Sequence, residues 1–230
     1  MRKENPIKEE RIKNLKKAKE LPLGRRIQYY FDFFKIPMVV LLFLGIISFF
    51  FVKDILLAKD TALSIYVVNR QHAVEIYDDS FIKPFCEYAG INASKENVVC
   101  VYDFYIDENN ADTAMKLVAS VSAGECDILI CNRDTFNELA RMKLLYNLSE
   151  YDDGSLISNY SSLLIDYDYS SNKDPEDDSF GIRPLGIDIS ASQIIQSASF
   201  FNSDEEVILC IGNGSKRVER TKSFLQWLLK

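Results

Sequence analysis

The sequence predicts an α/β fold: a small open, mostly parallel sheet with helices on both faces, preceded by a transmembrane helix. Three observations predict it. Short β-branched apolar runs alternate with helical patterns from Thr61 onward, the signature of βαβ units. Several of those runs are apolar throughout, as strands covered on both sides must be. Finally, the uncharged stretch "IPMVVLLFLGIISFFFV" (36–52) separates a basic segment from an acidic one.

The elements follow in order. "LSIYVVN" (63–69) is a β-branched run ending on a polar residue. In "DSFIKPFCEYAG" (79–90), Asp79 or Ser80 can cap a helix, Pro84 suits its first turn and Gly90 its exit. "NVVCVYDFYI" (97–106) reads as a second strand. "NADTAMKLVASVSAG" (110–124) carries Ala114, Met115, Val118 and Val121 at helical spacing. "CDILIC" (126–131) is short and apolar enough for a central strand. The next helix opens on Thr135-x-x-Glu138, a capping-box pattern with Asp134 as an alternative cap, and buries Phe136, Leu139, Ala140 and Leu144.

Residues 151–180 are polar and acidic around one strand-like run, Leu163–Tyr169. "FGIRPLGIDIS" (180–190) is a return strand interrupted by Pro184, hence an edge strand or an irregular one. The segment "EVILCIGNGSKRVERTKSFLQWLLK" supplies an apolar strand, a Gly-rich turn and a helix whose core face holds Val218, Phe224, Leu225, Leu228 and Leu229.

Charge divides the chain. Residues 1–35 hold eleven Lys/Arg against five Asp/Glu, while residues 53–230 hold 16 against 29. The uncharged run between them spans roughly 26 Å as a helix, close to a hydrocarbon core. The aromatic residues Tyr29–Phe34 suit an interfacial belt. A signal peptide is disfavoured by the long leading segment and by the lack of a small-residue cleavage site after the run. We therefore expect a basic cytoplasmic tail (1–35), a transmembrane helix (36–58) and an extracytoplasmic domain (61–230). The positive-inside rule sets that orientation, with a single pass and the N-terminus in the cytoplasm.

The acidic balance of the folded part excludes nucleic acid as a partner. The expected partners are the membrane and a small solute or a membrane protein. Five cysteines (Cys86, Cys100, Cys126, Cys131, Cys210) and one histidine (His72) supply no zinc-ligand spacing. No cofactor, metal or catalytic residue is expected, and the protein is read as a non-enzyme. "IGNGSK" lacks the spacings of a nucleotide-binding loop and is read as a turn.

The order of elements resembles the first lobe of type 2 extracellular solute-binding proteins. "AGECDILICNRDTFNELARMKLLYNLSEY" is similar to that family's small-Gly turn, D-[ILV]-[ILV] strand, polar loop and helix. "SFGIRPLG" is similar to its return strand, and "VILCIGNGSKRVERTKSFLQWLLK" to its closing strand and helix. The resemblance covers Thr61 to Lys230. It implies a solute-binding-like module of the cell envelope, of the kind Gram-positive bacteria hold at the cell surface. Two departures mark it as a truncated, single-lobe relative. The stretch near 150–180 is too short for a second lobe, and a helix replaces the lipid-bearing cysteine.

In open parallel sheets, ligands lie outside the carboxyl ends of the strands. The loops expected there are Asn69-Arg70-Gln71, Asn132-Arg133-Asp134-Thr135 and Gly212-Asn213-Gly214-Ser215. Arg70, Asn132, Arg133, Thr135 and Ser215 are then expected around one crevice, where helix N-termini and two guanidinium groups suit a carboxylate or phosphate. The competing reading makes Asp134 and Thr135 a helix cap and Asn132 a turn residue. The expected function is a membrane-anchored, extracytoplasmic module that recognises a small ligand or a partner protein. The alternative is a non-catalytic scaffold of the cell envelope.

Overall fold

The computed structural model describes residues 16, 22, 24–25, 39–53, 59–71, 81–106, 111–170 and 181–230. The chain divides into two compact units, Met1–Ala58 and Lys59–Lys230. In the first, residues 39–53 are helical and their large apolar side chains are exposed. No helix among the described residues is long and apolar enough to cross a membrane. The rest of the span expected at 36–58, namely 36–38 and 54–58, lies outside the described residues, as does nearly all of the basic tail.

The second unit is built on one six-stranded sheet in the order β2-β1-β3-β6-β5-β4. Its strands are β1 (Asp60–Val68), β2 (Glu96–Phe104), β3 (Ile128–Asn132), β4 (Leu164–Asp168), β5 (Ile182–Asp188) and β6 (Val207–Ile211). The helices are α1 (Lys83–Tyr88), α2 (Ala111–Ser122), α3 (Arg133–Arg141), α4 (Ser155–Tyr160), α5 (Gln193–Ala198) and α6 (Val218–Leu228). Every strand and long helix read from residues 61–230 is present within a few residues. The short α4 and α5 are not legible in the sequence: six residues hold too few turns to register a helical period, and neither carries the first-turn Pro that marks α1.

The expectation of a mostly parallel sheet needs correcting. β1 pairs in parallel with β2 and β3, but β3–β6, β6–β5 and β5–β4 are all antiparallel. The sheet is mixed, half wound through helices and half a meander. β5 is not an edge strand either: it lies between β4 and β6. Its irregularity is real, with a register shift at Ile165/Asp166 opposite Gly186 and Pro184. The β5–β6 pairing runs only from Gly186 to Asp188, so Pro184, which has no N–H to give, falls outside that ladder.

Helices cover both faces because successive strand residues point to opposite sides. Leu63, Ile65 and Val67 of β1 join Ile128, Ile130, Leu209 and Ile211 in one core, under Phe85 of α1 and Phe224, Leu225 and Trp227 of α6. Tyr66, Val68, Leu129, Cys131, Ile208 and Cys210 face the other way, under Leu117 and Val121 of α2 and Phe136, Leu139 and Ala140 of α3. Phe85 and Phe224 meet edge to face at 5.0 Å, and Phe81 approaches Phe200 the same way at 5.2 Å. Such pairs contribute about 0.5–1.5 kcal/mol each beyond area burial. The Phe85–Phe224 pair ties the last helix to α1.

Candidate functional site

β1, β2 and β3 run in the same direction and define two poles of the sheet. At the carboxyl pole, Asn69 sits in the left-handed region (φ 55°), a conformation Asn adopts more readily than most residues. Its amide donates to Ile106 O at 3.1 Å and to Thr135 Oγ1 at 3.0 Å, and its carbonyl accepts from Ile106 N at 2.6 Å. One side chain thereby ties the ends of β1 and β2 to the start of α3. The α3 cap is Asn132, whose Oδ1 accepts from Thr135 N at 3.1 Å. Thr135 is buried, and neither it nor Asp134 is the capping residue. An Asn cap satisfies an otherwise orphaned N–H and contributes about 1 kcal/mol.

The two arginines are occupied. Arg133 donates Nε and Nη2 to the two carboxylate oxygens of Glu206, each at 2.6 Å, and its guanidinium lies 5.6 Å from the Phe136 ring. Arg70 donates to Tyr102 O and lies over the Tyr105 ring at 6.0 Å. An expected anion would meet an arginine already neutralised by Glu206.

Ser215 is at the other pole, and the expectation that it shares a crevice with the rest is corrected. Ile128 pairs with Ile211 and Asn132 with Val207. Because β6 runs against β3, the loop after β6 emerges beside the start of β3. There Ser215 Oγ donates to Asp127 Oδ1 at 2.9 Å. Ser64 donates its N–H and its hydroxyl to Asp127 Oδ2, both at 2.9 Å, and Arg217 Nη1 reaches the same oxygen at 2.9 Å. Asp127 is fully buried, and Arg217 also donates Nε to Thr61 O at 2.9 Å. Every oxygen of this carboxylate is satisfied by the protein, which makes it a structural clasp at the amino pole. The sequence signal was a charged residue at the head of an apolar strand.

The open polar space lies at the carboxyl pole, between the end of β5, α5 and the entry to β6. It is a cavity of about 390 Å³ lined by Ser190, Gln196, Ser199, Asn202, Asp204 and Glu205, with Ile195, Phe201 and Val207 beneath. Gln71, just past β1, donates its backbone N–H to Phe200 O at 2.9 Å and its amide to Glu205 Oε1. Asn202 in turn donates to Gln71 Oε1. The second Glu205 oxygen, Oε2, is closed from solvent and has no hydrogen-bond partner among the described residues. None of Arg70, Asn132, Arg133, Thr135 or Ser215 lines this space. Its polar lining lies in 190–205, a stretch without strand or helix periodicity to flag it.

A second, more apolar cavity of about 690 Å³ lies on the α6 face, lined by Tyr88, Leu163, Ile194, Trp227 and Leu229 among others. Among the described residues, no three His, Cys, Asp or Glu side chains are placed to hold a metal ion. His72 lies outside the described residues. No protein-family model matches this sequence, and no curated protein is significantly similar to it.

Proposed function

We propose that this protein is a single-pass, membrane-anchored module that recognises a small solute on the extracytoplasmic side. Residues 36–58 are the anchor, residues 1–35 its cytoplasmic tail, and residues 61–230 the recognition domain. The observation that carries the reading is the polar cavity at the carboxyl pole of the parallel strands. Ligands of open α/β sheets collect at that pole, because loops and helix starts converge there. The exposed apolar side chains of the helical residues 39–53 support an anchor, since a helix apolar on all sides needs an apolar surround. The resemblance to one lobe of the type 2 solute-binding proteins points the same way. Without a second lobe to close over the ligand, affinity is expected nearer millimolar than nanomolar.

The anion-binding form of this reading is set aside, because Arg133 is paired and Ser215 lies at the opposite pole. The scaffold alternative draws on the apolar cavity beside Trp227. One experiment on the full chain separates them. Protease added to intact cells should digest residues 61–230 and spare a tag placed before Met1. The detergent-solubilised full chain is then screened by thermal shift against amino acids, sugars, amines and peptides. A protected domain removes the topology. An accessible domain that no solute stabilises leaves the scaffold.

A further inference from the structure

We infer that the cavity at the carboxyl pole takes a small organic cation, an amine-bearing solute, with Glu205 as its counter-charge. The inference rests on the solute-binding reading and names the ligand class for it. Its ground is the chemistry of the lining. Two carboxylates, Asp204 and Glu205, border the cavity, and among the described residues no Lys or Arg does. The Arg133 guanidinium is held through Nε and Nη2 by Glu206, the carboxylate next to Glu205 in the chain. The remaining polar lining, Ser190, Gln196, Ser199, Asn202 and Ser203, consists of neutral hydroxyls and amides. A negative solute would therefore meet uncompensated repulsion, and a neutral one would leave the carboxylates unanswered.

Glu205 adds a second, independent observation. Its Oε1 accepts from Gln71 and Asn202, yet its Oε2 is closed from solvent and has no partner among the described residues. A buried acceptor without a donor is costly, and a charged donor is the strongest remedy. Gln71 meets this carboxylate only at Oε1, and through an exposed side chain. An ammonium group entering the cavity then supplies the missing hydrogen bond. Ile195, Phe201 and Val207 line the floor and suit the methylene groups that carry it.

The test uses the full chain in detergent and three four-carbon probes that differ only in end groups: putrescine, butanediol and succinate. Putrescine should raise the melting temperature in proportion to the logarithm of its concentration at saturation, and added salt should weaken the effect. Glu205→Gln, which keeps size and removes charge, should abolish the shift. Asp204→Asn should reduce it, and Asp168→Asn on the distant β4 should not change it. Should Glu205→Gln fail to fold, the Asp204→Asn variant and the salt dependence decide. A shift by butanediol or succinate with none by putrescine overturns the cation while leaving solute binding standing. Silence from all three probes and from the wider screen overturns both.

Discussion

Ser215 Oγ lies 2.9 Å from Asp127 Oδ1, so the turn after β6 is fastened to the head of β3. Ser64 holds the other oxygen of the same carboxylate, which joins β1 to the pair. Gly214 makes the approach feasible: a Cβ there would stand 2.2 Å from Val121 O, and one on Gly124 (φ +72°) 2.6 Å from Gly214 O. Three strands and two turns meet at a single buried charge.

Removing that charge should destabilise the domain strongly. Asp127→Ala takes the acceptor from the Ser64 N–H and the Ser215 hydroxyl and the counter-charge from Arg217, which keeps only the carbonyls of Thr61 and Gly124. Breaking a fully buried ion pair costs about 3–5 kcal/mol. Because Arg217 is about one-third exposed and can recover some hydration, a loss of about 3 kcal/mol is expected. Urea denaturation of the full chain measures it. Asp127→Asn should also lose stability, since its amide nitrogen faces donors. A wild-type midpoint for Asp127→Ala would remove the clasp from this account.

The Arg133–Glu206 pair should contribute modestly. Its geometry is bidentate, which favours it. Its side chains remain 41% and 34% exposed, so solvent screens it. A double-mutant cycle with Arg133→Ala and Glu206→Gln should return a coupling of about 0.5–1 kcal/mol that shrinks in high salt. Arg133→Ala alone should cost somewhat more, through lost packing on Phe136. A coupling indistinguishable from zero would mean that the pair is not held in solution.

Cysteine reactivity should divide the five thiols into two sets. Cys126, Cys131 and Cys210 are buried, whereas Cys86 and Cys100 are half-buried. Burial pushes the Cys126 and Cys210 thiols well above the usual range. A thiol raised in the folded state stabilises it below the ordinary thiol range, and that contribution is lost as pH climbs through the folded value. Stability should therefore hold through neutral pH and decline above about pH 9. Iodoacetamide at neutral pH, followed by peptide mass mapping, should label Cys86 and Cys100 first. Labelling of Cys131 or Cys210 at the same rate would contradict the burial of β3 and β6.

The sequence by itself determined the elements. The apolar run at 126–131 and the periodic stripe Phe136, Leu139, Ala140 and Leu144 are legible because burial and helical period are written within a dozen residues. The division of the chain into a basic segment, an apolar run and an acidic domain is likewise a property of composition. The α3 cap was also within reach, since Asn ranks with Asp and Ser at that position.

The tertiary structure decided direction and partnership. An apolar five-residue strand reads the same whether it runs with its neighbour or against it, because side-chain alternation carries no polarity. Only the pairing of Ile128 with Ile211 and Asn132 with Val207 fixes β6 as antiparallel. That one reversal carried Ser215 to the amino pole and placed Glu205 and Glu206 at the carboxyl pole. Arg133 then met a carboxylate 73 residues away. Asp127 was drawn to Arg217 across 90. Contacts so distant along the chain leave no local period to read, and they exist only once the sheet has closed.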